Sequence, residues 1–271
     1  MSNTKARVIS ALVMAFLVVL AVYLGKWATI IAIFIAGVLS IDEILINFSR
    51  VNRSDFIYKY VLTFFAILYF GVNGISTQFT LSLFTIAALC LNLFLIYYLF
   101  KIPLNDHFMK NSTIKHPGLI ATLIILPLLS FGIHFNGDYW RQILAILLIV
   151  TFGMDTGAWF FGKNFGKTKL WPSVSPKKTV EGLFGGMFIS GLAGSLLWWS
   201  LFDESRWYYS VIFALCGGIS QLGDLVQSKL KREFEIKDSS NLIPGHGGVY
   251  DRIDSLIFLS PFFVIVVKYL G

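Results

Sequence analysis

The sequence predicts an all-α, polytopic integral membrane protein of about nine transmembrane helices with a cytoplasmic N-terminus. Three observations carry that expectation. Of 271 residues, 56% are hydrophobic and only 14% are charged, against about 25% charged in a soluble domain; mean hydropathy is +0.73. The apolar residues fall in blocks of about 18 to 24, the length that crosses a hydrocarbon core as a helix. The strands of a membrane barrel are shorter and alternate in polarity. Finally, lysine and arginine are divided very unequally between the two sets of intervening loops.

In order, the blocks are Val8–Leu24, Trp27–Phe48, Phe56–Val72, Gln78–Phe100, Gly118–Phe135, Trp140–Phe161, Leu183–Phe202, Trp207–Gln227 and Ile253–Leu270. The first follows Lys5 and Arg7, is long, and is followed by no small-residue cleavage pattern. It reads as a retained helix, not a removed signal peptide. Pro127 and Pro261 fall inside blocks and should kink them, because proline removes a helical hydrogen bond. Cys90 and Cys216 both lie in apolar blocks and read as small buried side chains, not as a disulfide or metal pair. Neither a short repeat nor a Gly/Ser- or Pro-rich linker interrupts the chain.

The N-terminus and the even-numbered loops together hold eighteen of the 22 lysines and arginines, leaving Lys26, Arg141, Arg206 and Lys268 on the other side. The positive-inside rule then puts the N-terminus in the cytoplasm and the C-terminus outside. Anionic headgroups favour such a bias in any membrane protein, so the bias alone does not indicate an enzyme.

Carboxylates inside the apolar blocks say more. Asp155, in "TFGMDTGAWFFG", and Asp224, in "GGISQLGDLVQSK", each precede the following loop by about six residues, roughly 8–9 Å at helical rise. A carboxylate at mid-bilayer costs about 2.5–3.5 kcal/mol; nearer the edge the cost is smaller but positive. A functional role is the stronger reading for both, over snorkelling or a hydrogen bond to a neighbouring helix. Asp42 and Glu43, in "LSIDEILINF", receive that plainer explanation, since no glycine or lysine cluster accompanies them. Asp251 and Asp254 share one face if the ninth helix starts near Tyr250. Acidic residues suit a helix N-terminus in any case, but here both stand beside Arg252, His246 and the turn containing Gly245, Gly247 and Gly248. Carboxylates and cations at one membrane depth suit a metal ion with a phosphorylated ligand. Mg²⁺ takes a few carboxylates plus waters and phosphate oxygens, and glycines let the backbone approach phosphate. The loop "GKNFGKTKLWPSVSPKKTVEGLFGG" repeats this chemistry, with Lys177 and Lys178 after Ser175 and Pro176.

The stretch "SKLKREFEIKDSSNLIPGHGGVYDRID" resembles the signature of phosphatidate cytidylyltransferases, or CDP-diacylglycerol synthases. It matches through Ser228, Lys231, Arg232, Lys237, Asp238, Pro244, His246, Gly247, Gly248, Asp251, Arg252 and Asp254, and "SPKKTVEG" upstream looks like the same family. The match covers mainly 152–254. The resemblance implies that CTP and phosphatidate give CDP-diacylglycerol and pyrophosphate with Mg²⁺, a second cation being left open. Asp224, Asp251 and Asp254 are then expected as metal ligands. Lys177, Lys178, Lys231, Arg232 and Arg252 are expected to bind phosphate, with Asp224, Asp251, Lys231 and Arg232 at the catalytic centre. Ser175, Thr179 and Ser228 are assigned as donors to phosphate. His246 either binds phosphate or fixes the turn with Gly247 and Gly248, and Asp155 either ligates metal or orients a lysine. "SPKKT" and "SKLKR" are expected to face each other across one site.

On this reading, residues 1–271 form one membrane domain, with 1–135 as scaffold and 136–271 as the catalytic part. The expected partners are CTP, phosphatidate in the cytoplasmic leaflet and membrane lipid, with a homodimer left open and no nucleic acid. The expected location is the cell membrane, with the site on its cytoplasmic side. Two rivals remain: a CTP-dependent polyprenol or phytol kinase, which would release CDP, and a cation-coupled transporter, whose carboxylates belong nearer the midplane.

Overall fold

The computed structural model describes residues 3–75, 78–135 and 137–270. Among them run nine helical stretches long and apolar enough to cross a bilayer, Lys5–Leu24, Lys26–Phe48, Phe56–Gly74, Thr80–Lys101, Pro117–Phe135, Trp140–Phe165, Val180–Phe202, Trp207–Glu233 and Tyr250–Leu270. Each contains or overlaps one block read from the sequence, and the protein is a multi-pass membrane protein.

The helices are α1 (Asn3–Leu24), α2 (Lys26–Glu43), α3 (Phe56–Ile75), α4 (Gln78–Lys101), a short α5 (Phe108–Lys115), α6 (Thr122–Phe131), α7 (Trp140–Phe165), α8 (Val180–Phe202), α9 (Trp207–Glu233) and α10 (Tyr250–Leu270). α2 continues through a π-helical turn, Ile44–Phe48, and 3₁₀ turns at Pro117–Ala121 and Gly132–Phe135 flank α6. Helices that are apolar on every side must bury one face in protein and give the rest to lipid. Phe65, Tyr98, Leu129, Val150, Phe213 and Phe263 fill the interior, whereas Val8, Leu12, Phe16 and Val19 of α1 are bare. α7 packs most extensively on α8. With no water to expel, helices in lipid associate through close backbone contact at small residues. A Cβ on Gly157 of α7 would lie 2.9 Å from the Cα of Gly186 in α8, so neither position has room for a side chain.

α7 and α9 have 26 and 27 residues, about 39–40 Å of helix, which exceeds a ~30 Å hydrocarbon core. Each is therefore long enough to carry its polar C-terminal turn past the core or to cross it tilted. Asp155 and Asp224 lie ten and nine residues before their helix ends, not the six expected, because the helices continue into what reads as loop.

Long-range contacts gather the N-terminus and four loops at one end of the bundle. Arg7 Nε donates to Gly245 O (3.0 Å) and Ser10 Oγ to Pro244 O (2.9 Å). Asn47 Nδ2 donates to Ser239 O (2.7 Å), and Lys110 pairs with Glu235 (2.8 Å). Arg232 Nε donates to Val174 O (3.3 Å). Arg141 Nε reaches Val22 O (3.3 Å) at the opposite end.

Two details differ from the sequence reading. The loop after α7 contains an antiparallel hairpin, β1 (Lys169–Trp171) and β2 (Ser175–Thr179), in which Trp171 faces Ser175 and Lys169 faces Thr179. Cys216 is buried, but Cys90 is exposed on the outer side of α4, where a bilayer would surround it. The division at 135/136 touches Asn136, which lies outside the described residues; helices from either side of it, α4 and α6 with α10, pack together.

Candidate active site

The hairpin is fixed at its root by the start of α8. Thr179 is the N-cap, its hydroxyl oxygen accepting from Gly182 N (3.1 Å), which satisfies one of the free amides of a helix start. Glu181 accepts from Thr168 N (3.0 Å) and Val180 N donates to Thr168 O (2.9 Å). So anchored, β2 lays Lys178 against α9. Lys178 Nζ sits 2.5 Å from Asp224 Oδ2, with both side chains largely shielded. Ser228, one turn further along α9, donates to Asp224 Oδ1 (3.2 Å).

A cavity of about 220 Å³ lies over this contact. Asp155, Lys177, Lys178, Thr179, Gln221 and Asp224 supply its polar wall, and Ala158, Trp159, Leu170 and Leu183 its apolar one. Asp155, Asp224 and Asp254 lie close enough for their charges to interact, with Lys178, Lys231 and Arg252 as the nearby cations.

α10 does start at Tyr250, and its first turn carries the second ion pair. Asp251 Oδ1 accepts from Lys231 Nζ (2.9 Å) and Gln227 Nε2 (3.0 Å). Asp251 Oδ2 accepts from the backbone amides of Ser239 (2.8 Å) and Gly248 (2.9 Å). Gly247 has φ +86°, a conformation that glycine takes without strain and other residues rarely adopt. Ile243 N donates to Gly247 O (2.8 Å) and His246 N to Ile243 O (2.9 Å), which closes the turn. Burial, and then the nearby Arg252 guanidinium, hold the His246 imidazole below its ordinary pKa.

The structure thus brings Lys177, Lys178, Thr179, Asp155 and Asp224 to one cavity, with Ser228 beside them. Asp254 and Lys231 are within electrostatic reach of Asp224. Ser175 is half-buried at the start of β2 and Arg232 touches the hairpin turn. His246, Gly247 and Gly248 belong to the adjoining loop, and Asp251 to the first turn of α10, with Arg252 exposed beside it. Among the described residues no three His, Cys, Asp or Glu side chains close into a ready-made metal cage. The oxygen-only donors still suit Mg²⁺, which uses one or two carboxylates plus substrate phosphates. Asp224 Oδ1, held by a serine hydroxyl, borders the cavity, whereas Asp251 is buried and each of its oxygens accepts two hydrogen bonds.

Several residues that shape this end escaped the sequence reading. Lys229 sits in the same "SKLKR" run but is buried, donating to the carbonyls of Tyr98 (2.6 Å), Leu99 (3.0 Å) and Ile102 (2.5 Å). It caps the C-terminus of α4, where a cation is favoured. Glu233 accepts from Tyr98 Oη (2.5 Å) and Lys110 N (2.8 Å). Asp42 behaves as expected, pairing with Arg53 (2.9 Å) and accepting from Tyr58 Oη (2.6 Å). Glu43 does not: it is buried and binds the glycine loop between α9 and α10.

Fold and site define a class: a polytopic helical membrane protein with a cation- and carboxylate-lined cavity at one end of its bundle. The chain belongs to the Cytidylyltransferase family, which matches residues 5–270. It is 30% identical to the phosphatidate cytidylyltransferase of Bacillus subtilis (strain 168), over 97% of each chain. The phosphatidate cytidylyltransferase of Staphylococcus aureus (strain COL) is 42% identical over 51% of this chain and 50% of its own. That of Staphylococcus epidermidis is 43% identical over 47% of this chain and 49% of its own.

Proposed function

We infer that this chain transfers the cytidylyl group of CTP to phosphatidate, giving CDP-diacylglycerol and pyrophosphate. The family and the full-length similarity to a phosphatidate cytidylyltransferase support the reaction. The observation that carries the site is the 2.5 Å contact of Lys178 with Asp224, which joins the "SPKKT" hairpin to the signature helix at the cavity.

An oxygen of the lipid phosphate attacks the α-phosphorus of CTP. The new phosphorus–oxygen bond forms as the bond to the β-phosphate oxygen breaks, and pyrophosphate leaves. Phosphatidate is already anionic near neutral pH, so no general base is required, and catalysis is positioning and charge neutralisation. Lys177, Lys178, Lys231, Arg232 and Arg252 neutralise the two polyanions, and Ser175, Thr179, Ser228, Gly247 and Gly248 donate to or make room for phosphate oxygens. Asp224, Asp251 and Asp254 would hold Mg²⁺, with Asp155 near enough to assist. When bound, the ion would polarise the triphosphate and stabilise departing pyrophosphate. At about 220 Å³ the cavity suits phosphate groups, leaving the nucleoside toward water and the acyl chains in lipid. The cation-rich end faces the cytoplasm of the cell membrane, with the N-terminus on that side. Residues 1–135 serve as scaffold and 136–271 carry most of the chemistry.

The test is pyrophosphate release from purified protein. Release should need CTP, phosphatidate and Mg²⁺ together, and Asp224→Asn should lower it by orders of magnitude while still inserting. Release without phosphatidate, or near-parental turnover of Asp224→Asn at ordinary Mg²⁺, would contradict the proposal.

A further inference from the structure

Glu43 lies at the end of α2, far in sequence from the signature, and is 3% exposed. Each of its carboxylate oxygens accepts two hydrogen bonds from the loop between α9 and α10. Oε1 takes Ser240 Oγ (2.7 Å) and Val249 N (2.8 Å), and Oε2 takes Ser239 Oγ (2.8 Å) and Tyr250 N (3.0 Å). One turn on, Asn47 Nδ2 donates to Ser239 O (2.7 Å). Glu43 immediately precedes the π-helical turn Ile44–Phe48 and Asn47 lies within it, a distortion that recurs at functional sites. Gly248 is pressed so closely between Ser239 and Glu43 that a Cβ there would collide with both.

The same loop serves Asp251 from its other side. Ser239 gives its hydroxyl to Glu43 and its amide to Asp251; the Gly248 amide goes to Asp251 and the next amide, of Val249, to Glu43. Two carboxylates on different helices therefore share one short loop, one fixing its outer edge and the other facing Lys231. We propose that Glu43, seconded by Asn47, is a positioning residue for cytidylyl transfer: it sets the 239–250 loop so that Asp251 and Lys231 meet in register. This rests on the reading that the loop serves the reaction. The N-terminal half then shapes the site as well as supporting it.

Glu43→Gln keeps the shape but turns one accepting oxygen into a donor. A serine hydroxyl can rotate to accept from it, whereas a backbone N–H cannot, so one loop amide loses its partner. Hydrogen exchange over 239–250 should quicken while exchange in α4 stays unchanged. Turnover per folded molecule should fall by about tenfold or more, with KM for CTP and phosphatidate within about threefold of the parent. Asn47→Ala changes an exposed side chain and should move both readouts the same way by less, about threefold in turnover. Asp42→Asn, beside Glu43 but paired with Arg53 and Tyr58, should leave both unchanged. Unchanged loop exchange in both Glu43→Gln and Asn47→Ala would overturn the brace. Quickened exchange with parental turnover would overturn it through the loop's role, while pyrophosphate release by the parent stood.

Discussion

Lys178 and Arg232 are two of eighteen cations that topology alone would place on one face, yet their surroundings differ from those of Lys110. Lys178 is shielded and bound to Asp224, and Arg232 reaches the hairpin turn. Lys110 forms an ion pair with the exposed Glu235 and lowers that carboxyl's pKa, an arrangement that contributes little in water. A charge-assisted hydrogen bond to phosphate in a partly dry site is worth roughly 1.5–3 kcal/mol, or about tenfold to a hundredfold in rate. Lys178→Gln and Arg232→Gln should each lower kcat/KM by about that factor, and Lys110→Gln should not; steady-state kinetics on the three variants checks this. Lys229 is a different kind of residue within the same basic run. Lys229→Met removes three hydrogen bonds from buried carbonyls and should destabilise the protein by about 3 kcal/mol or more. Thermal unfolding in detergent should show the loss, while turnover per folded molecule stays near that of the parent. Asp155, Asp224 and the signature cations stood out in sequence because charge is rare in apolar blocks. Glu43 stood out too but was given a plain explanation, and Lys229 passed as one more cation of a basic run, because the serine hydroxyls and amides that bind Glu43 and the carbonyls that bind Lys229 are distant in sequence and leave no mark on local composition.

Helix existence was legible because blocks of about 20 apolar residues have few alternatives in lipid. Helix ends were not, since α7 and α9 run on through polar residues where hydropathy falls silent. The hairpin was also hidden: β1 is three residues long, and β2 carries Pro176, a residue that argues against a strand except at edges. Its position follows from the close union of α7 and α8, which holds both hairpin ends. Gly186→Leu would force a large side chain against Met154, and overpacking of that kind costs about 1–3 kcal/mol or more. Because α8 carries β2 at its start, the variant should lose activity together with stability. A lowered unfolding temperature with kcat/KM reduced is the expected pair of results; full stability would show that α7 and α8 are not so closely joined.

The whole bundle is organised by its two ends. One gathers the N-terminus, the hairpin, the glycine loop and the last turns of α7 and α9; the other holds Arg141. The nine spans among the described residues would put the chain termini on opposite sides, and the positive-inside rule would put the basic end in the cytoplasm. Impermeant labelling of tags at the two termini should reach only the C-terminal tag in intact cells, and labelling of both or neither would indicate a different number of crossings. The lysine and arginine distribution marked one end of the bundle as basic, but the pairing of distant loops was not legible, because it depends on three-dimensional packing. The central claim concerns the bond that is broken, and double-labelled CTP reports on it directly. With the purified protein, phosphatidate and Mg²⁺, label on the α-phosphate should appear in the lipid product and label on the γ-phosphate in pyrophosphate, in equal amounts. Label from the γ-phosphate in a lipid, with CDP released, would contradict the account and make the protein a kinase.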